Sequence, residues 1–414
     1  MSKVKLGEIA EIQSGPFGTQ LHKDEYVSSG IPMLNSKNIG NGSVVTNSLD
    51  FVPPEVCNRL PRYILRKGDI IFGRAGTIER HTYVDGRYDG CFQGTNCIRI
   101  RCNDASKALF ISYYLWLSEL KEQIENSAGG SIQSYITTDL LNDIYVDIPE
   151  DYEEKAKTLQ YIGAKIDNNN RINDNLEQQI KLIYDYWFTQ FDFPDENGKP
   201  YHSSGGKMVW NEQLRRDIPT NWSVQSVISN SLTTVIKPGV DEFLTKSYLA
   251  TADVKGTSIS NGTTIDFESR ESRANMQPTI NSVWFAKMKN SIKHLFLDAE
   301  MSSVIESSIL STGFCGLQCS EESFEYLASF ISSPYFEIHK DMLAHGATQE
   351  AVNNDDLARI PLIIPPTNVL QSYCVITKPI YSRISKNICE NRELTALRDW
   401  LLPMLMNGQA TIED

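Results

Sequence analysis

"AGGSIQSYITTDLLNDIYVDIP" occupies residues 128–149, and "AHGATQEAVNNDDLARIPLIIP" occupies residues 344–365. They align without a gap, 344 against 128, and eight of the 22 positions are identical. A repeat whose period is half the chain marks a duplicated domain rather than a solenoid. Fainter echoes flank it. "IPMLNSKNIGNGS" (31–43) answers "KSYLATADVKGTS" (246–258), each a short apolar strand, then polar residues, then a glycine turn. "GDIIFGRAGTIER" (68–80) answers "NSVWFAKMKNSIK" (281–293), each a strand running into a basic turn.

A long helical pattern follows each repeat. Leu159, Ile162, Ile166, Leu176, Ile180, Ile183 and Trp187 step by threes and fours if Asn169 and Asn173 fill two core places. Asparagines inside such a seam lower stability but fix register and partner. The second pattern carries Ile380, Ile384, Ile388, Asn391, Leu394, Leu397, Leu401 and Leu405. Pro379 inside it predicts a kink or a late start, and Pro403 and Gly408 mark its end. Two such helices are expected to pair antiparallel and to carry the two halves at opposite ends. At about 1.5 Å per residue, 159–187 makes a rod of about 42 Å, matching sites on duplex DNA about one turn apart. Between the first helix and the second half, 191–214 is rich in Gly, Pro, Asp and Ser, as expected of an exposed connector. Trp187 and Trp400 are expected to anchor packing at the helix ends, with 186–188 a candidate for part of a docking surface for a partner.

The chain is 414 residues long, enough for two or three domains, with a net charge of −13. That charge disfavours a uniformly basic nucleic-acid binder, but charge is unevenly placed. Residues 59–101 hold nine Arg or Lys against four Asp or Glu, and 267–294 hold five against two. Eight scattered cysteines form no Cys-x-x-Cys pair, and six histidines lack ligand spacing, so no metal site is expected. No apolar run spans a membrane and the start lacks a signal-peptide core, so a cytoplasmic protein is expected. Phosphate-loop, dinucleotide, zinc-protease and nucleophile-elbow signatures are all missing. "IIPPTN" (363–368) lacks the Asn/Asp-Pro-Pro-aromatic motif of an amino-methyltransferase. The duplicated parts read as binding surfaces, not as an active site.

Taken together, "KLGEIAEIQSG" (5–15), "IPMLNSKNIGNG" (31–42), "KGDIIFGRAGTI" (67–78), "GSIQSYITTDLLNDIYVDIP" (130–149), "DYWFTQFDFPDENGKPYHSSGGKMVW" (185–210) and "LRDWLLPMLMNG" (397–408) resemble the specificity (S) subunit of type I restriction–modification systems. The resemblance covers nearly the whole chain. It implies an α+β fold with two duplicated α/β target-recognition domains, separated by two long helices pairing as an antiparallel coiled coil. The boundaries expected are 1–149 and 221–366 for the two domains, 150–190 and 367–407 for the helices, 191–220 for the connector and 408–414 for a tail. The implied function is reading a bipartite DNA site, one half per domain, without catalysis. Methyltransferase subunits, two per chain, and often an ATP-driven restriction subunit are the implied partners. S-adenosylmethionine, and ATP with Mg²⁺ where a restriction subunit is present, belong on those partners; no cofactor is expected here. The second half departs from the pattern, since "NSVWFAKMKNSIK" lacks the Gly-Asp turn and "HGATQEAV" lacks a Ser or Thr right after its Gly.

The candidate DNA contacts follow. Arg74, Thr77 and Arg80 sit in and after "FGRAGTIER", where glycines suggest a tight hairpin; Arg binds guanine bidentately or holds phosphate. Lys287, Lys289 and Lys293 correspond in the second half. Ser131, Gln133, Thr348 and Gln349 lie in the repeated stretch before a helix expected to open near Ile136 or Val352; each Gln either reads DNA or caps that helix. Lys37 and Asn38 follow the first strand, as Asp253 and Lys255 follow its counterpart. Two other readings are a scaffold that does not read sequence, tested by equal affinity for all DNA, and a nuclease with a hidden carboxylate pair, tested by metal-dependent cleavage.

Overall fold

The computed structural model describes residues 3–74, 80–127 and 135–410. The chain forms two compact units: Met1–Gly163 with Leu397–Asp414, and Ala164–Ala396. The long helices thus belong in part to each unit instead of standing apart as segments of their own.

In the first unit the central element is the strand Asp69–Gly73, buried along its whole length. It lies in a four-stranded antiparallel sheet in the order Ala10–Ser14, Cys97–Cys102, Asp69–Gly73, His81–Tyr83. A second sheet pairs Ile31–Leu34 antiparallel with Asp50–Val52 and parallel with Phe92–Gln93. Lys3–Lys5 pairs with Tyr145–Asp147, the strand at the end of the first repeated stretch.

The second unit repeats this plan. Ser282–Ala286, again wholly buried, is third in the order Thr233–Val235, Phe314–Cys319, Ser282–Ala286, His294–Leu297. Lys246–Leu249 pairs antiparallel with Thr263–Ile265 and parallel with Ser308–Ser311. Ser223–Ser226 pairs with Pro361–Ile364, closing the second repeated stretch as the first is closed. The repeat is clear at side-chain level too. Helix Thr138–Asn142 is capped by Thr137, and helix Asn354–Leu357 by Asn353, each side-chain oxygen accepting from the backbone N–H three residues on. Both helices open two residues later than Ile136 and Val352, and Gln349 is not the cap.

The first long helix, Tyr152–Tyr184, ends in a wider turn over Asp185–Thr189. The second runs Thr367–Met406 and starts well before Pro379. Pro379 is tolerated because the carbonyl four residues back belongs to Val375, which is 76% exposed and can turn to water. Within the second unit the helices lie antiparallel, Asn169 and Asn173 bonding to Asn391 and Asn387, with Leu176, Ile180 and Ile183 in one core with Ile380, Ile384 and Ile388; Ile166 and Leu394 are half-buried. Ile162 is half-buried. Leu159 and Leu401 belong instead to the first unit's cluster with Phe110, Ala156 and Leu405. Leu397 is 43% exposed and Trp400 60% exposed, so neither fills the packing role their spacing suggested. Trp187 does, packed on Phe188 and Tyr373.

The connector also differs from expectation. Phe191 and Phe193 are buried, with Trp222 stacked on Phe193 and edge-on to Phe191, and Met208–Asn211 pairs with Arg216–Pro219 as a hairpin. Aromatic burial outweighs the loop-forming residues around it.

Candidate nucleic-acid interface

In each unit the buried central strand delivers one basic residue to a backbone clamp. Arg74 follows Asp69–Gly73. Its N–H donates to the Asn96 carbonyl at 2.9 Å, and its carbonyl accepts from Ile136 N–H at 3.0 Å. Lys287 follows Ser282–Ala286. Its N–H donates to the Gly313 carbonyl at 3.0 Å, and its carbonyl accepts from Val352 N–H at 3.0 Å. The turn beyond is closed alike in both: Gly73 N–H to the Arg80 carbonyl at 3.3 Å, and Ala286 N–H to the Lys293 carbonyl at 3.0 Å. So in each unit the basic turn and the repeated stretch, far apart in sequence, are bonded to each other at the same place.

The clamp fixes the backbone and leaves the side chains to the surface. Arg74, Arg80 and Lys287 are half-buried. Thr77, Ser131 and Gln133 lie outside the described residues. In the second unit Lys289 N–H also donates to the Glu350 carbonyl at 2.9 Å, which sets exposed Thr348 and Gln349 in the loop beside the lysine turn. The Lys289 ammonium meets the Glu350 carboxylate at 2.9 Å. Lys293 Nζ donates to the Thr251 carbonyl.

The loop after each second-sheet strand behaves differently from expectation. Asn38 is fully buried; its Oδ1 accepts from Asn35 N–H at 3.1 Å and its Nδ2 donates to the Val45 carbonyl at 2.9 Å. It therefore holds its own loop, and its burial keeps it from a base. Asp253 does the same work, accepting from Ala250 N–H and from Ser260 Oγ. Lys37 stays exposed, paired with Asp50 at 2.9 Å, and Lys255 is exposed on a short hairpin.

Behind each turn stands a buried histidine, which sequence reading passed over. His81 is stacked between Phe72 and Trp116 at 4.6 and 4.1 Å, with Nε2 2.8 Å from the Ser112 carbonyl. Burial, with nearby Lys121 adding to it, pushes its pKa down to about 3, so the ring is neutral. His294 has Nε2 2.9 Å from Glu337 Oε1, and Glu337 Oε2 takes the buried Lys340 ammonium at 2.6 Å. Burial alone would raise the Glu337 carboxyl; hydrogen bonds from His294 and Lys340 outweigh it and hold the carboxyl below its usual range. Lys340 Nζ also reaches the Ser291 carbonyl at 3.2 Å, and Asp341 accepts from Asn290 N–H at 3.1 Å, so the helix Pro334–Leu343 pins the lysine turn from below. The signal available in the sequence was alignment: His81 and His294 both follow the basic turn, each one residue after Arg80 or Lys293.

Residues 1–178 match the family model of the type I restriction modification DNA specificity domain. The chain is also similar along nearly all its length to curated proteins. It is 21% identical to the type I restriction enzyme MjaIX specificity subunit of Methanocaldococcus jannaschii, covering 99% of this chain and 93% of the relative. It is 23% identical to the HindI specificity subunit of Haemophilus influenzae, covering 90% and 93%. Over residues 1–178 the chain carries the DNA specificity domain of type I restriction–modification systems, and along nearly all its length it is similar to their specificity subunits. The crystal structure of an S subunit from M. genitalium shares the fold at a TM-score of 0.56 and 14% identity, covering 100% of this chain and 96% of that one. This specificity subunit is thus the non-catalytic, DNA sequence-recognition component of its system. Specificity subunits work with the other subunits of the system, which carry methylation and restriction, and on DNA. Among the described residues, no helix is long and apolar enough to cross a membrane.

Proposed function

We propose that each unit reads one half of a split DNA target, that the helix pair sets the spacing between the halves, and that the subunit brings two methyltransferase subunits to adenines in that target. The observation that carries this is the duplicated clamp, which presents Arg74 and Lys287 at matching places beside the repeated loop. In the first unit, Arg74 and Arg80 are the reading residues, and Thr77, Ser131 and Gln133 are assigned to the same task from the sequence alone. In the second they are Lys287, Lys289, Thr348 and Gln349, with Lys293 bracing the turn. Lys37 and Lys255 serve phosphates. The acidic remainder limits non-specific binding, because that term grows with each neutralised phosphate. Binding is therefore weak for the chain alone, and tight and salt-sensitive in the full complex. S-adenosylmethionine, and ATP with Mg²⁺ where a restriction subunit joins, reside on the partners, and the assembly works in the cytoplasm.

The test is a map of methylated adenines with and without the gene, followed by Arg74→Ala and Lys287→Ala in the assembled methyltransferase. A split motif that vanishes on deletion is expected. Each alanine is expected to relax one half-site, by about 1–3 kcal/mol for a base contact, or to lower the salt slope by about one for a phosphate contact. Unchanged affinity and slope in both variants would overturn the reading, and equal affinity for all sequences would favour a scaffold.

A further inference from the structure

Within the second unit, the seam of the helix pair is apolar except at one place. Asn173 Oδ1 accepts from Asn387 Nδ2 at 2.7 Å. Four residues back along one helix and four on along the other, Asn169 Nδ2 donates to Asn391 Oδ1 at 3.0 Å and to Glu390 Oε2 at 2.7 Å. Asn391 Nδ2 then donates to Asn170 Oδ1 at 2.9 Å. Asn169, Asn173 and Asn387 are 0%, 6% and 1% exposed, so these amides are satisfied across the seam and not by water. Leu176 and Ile180 on one helix, and Ile384 and Ile388 on the other, are apolar and packed in the hydrophobic core of the second unit.

Apolar seams tolerate sliding; a buried amide ladder does not. If the helices slipped by one heptad, Asn173 would face Ile380 or Leu394, and Asn387 would face Ile166 or Ile180. Each slip strands amides in an apolar wall, where a lost hydrogen bond is not replaced by water. The ladder is not built for stability. Asn169 Oδ1 is buried without a partner, which a leucine would not suffer.

We propose that the Asn169–Asn173–Asn387–Asn391 ladder is the register lock of the helix pair, and so a determinant of how many base pairs the enzyme accepts between its two half-sites. This rests on the proposed bipartite reading. One heptad of slip is about 10 Å of travel at about 1.5 Å per residue, or about three base pairs at about 3.4 Å each.

The test uses the full methyltransferase assembled on this chain and maps methylated adenines genome-wide. The wild type is expected to give one split motif with a single spacer length. The variant with leucine at 169, 173, 387 and 391 is expected to unfold at higher temperature. It should keep both half-sites and methylate them at added spacings about three base pairs away. The control I180L/I384L, which alters the seam outside the ladder, is expected to keep the single spacing. A four-leucine variant that keeps the single spacing overturns the lock and leaves bipartite reading intact. One that is destabilised or loses methylation also overturns it, because a ladder kept at the expense of stability must yield stability when replaced. A wild type with no split motif fails earlier, at the proposed function itself.

Discussion

Lys340→Met isolates the support beneath the lysine turn of the second unit. Lys340 is fully buried and its Nζ serves two acceptors, Glu337 Oε2 at 2.6 Å and the Ser291 carbonyl at 3.2 Å. Methionine keeps much of the volume, so the cavity term is small and the loss is electrostatic. Removing one partner of a buried ion pair costs roughly 3–5 kcal/mol, because the other charge stays behind in the dry interior. The low end, about 3 kcal/mol, is expected here, since His294 still bonds Glu337 at 2.9 Å. For a unit of this size that is about 6–12 °C in the melting of the second unit. The pH dependence follows from the sign of the Glu337 shift. In the wild type its carboxyl is held below its usual range, so its stabilisation is complete above that range and is lost only as pH falls through the lowered value. In the variant burial acts without Lys340, the carboxyl is raised, and it regains stability by taking a proton as pH falls. The gap between wild type and variant therefore narrows from pH 7.5 to pH 5. Calorimetry of both proteins across that range reads it directly. A shift under about 2 °C at pH 7.5, or a gap that widens in acid, refutes the reasoning. The loosened Ser291 turn should also weaken binding at one half-site and leave the other unchanged, as read from binding to half-site mutants of the target.

Other perturbations separate structure from reading. Asn38→Ala leaves the half-buried Val45 and Asn35 backbone groups without these partners, so about 1–2 kcal/mol of stability should go while the methylated motif stays the same; a changed motif would restore Asn38 as a reader. His81→Phe should reduce acid sensitivity. With its folded pKa near 3, His81 loses the chain stability as pH falls below its unfolded value of about 6.5, by up to about 1.4 kcal/mol per unit, and the variant's melting should be flatter between pH 6.5 and pH 4. Glu350→Ala frees the Lys289 ammonium from a half-exposed pair; stability should move by less than about 1 kcal/mol, while affinity for non-target DNA rises in a salt titration.

The duplication was legible because it is written twice in backbone-determining residues. The cap positions Thr137 and Asn353, and the apolar residues Leu141, Ile144, Leu357 and Ile360, recur at one offset and build the same helix and strand. Asn169, Asn173 and Asn391 were legible from heptad spacing, but Asn387 was not, because it stands one step off the expected row and reveals itself only through its partner. Leu397 and Trp400 carry the right spacing and still face outward; spacing gives a helical face, not what lies against it. Asn38 misled for a related reason. A polar residue in a glycine-rich loop reads as free, and only coordinates reveal that both ends of its amide are already used. The connector hid its aromatic core behind Pro, Gly and Ser, which describe its turns and not its burial.

The two units keep the clamp and differ in the charge behind it. Helix position 121 in the first repeat holds a lysine, over the Trp116 ring at 4.4 Å, and the neutral His81 lies on that same ring. The aligned position in the second repeat is 337, a glutamate bonded to His294 and to buried Lys340. One histidine is thus held neutral beside a cation, and the other is bound to a carboxylate. The clamp uses only backbone atoms of Arg74 and Lys287, so it constrains no side chain on the turn. The support beneath touches the turn through backbone atoms as well, at Ser291 and Asn290. Side chains on the turn can therefore change without undoing either contact. A fold that fixes main chain on both sides of a turn leaves the sequence of that turn free to diverge, and the divergence between "FGRAGTIER" and "FAKMKNSIK" falls at that place.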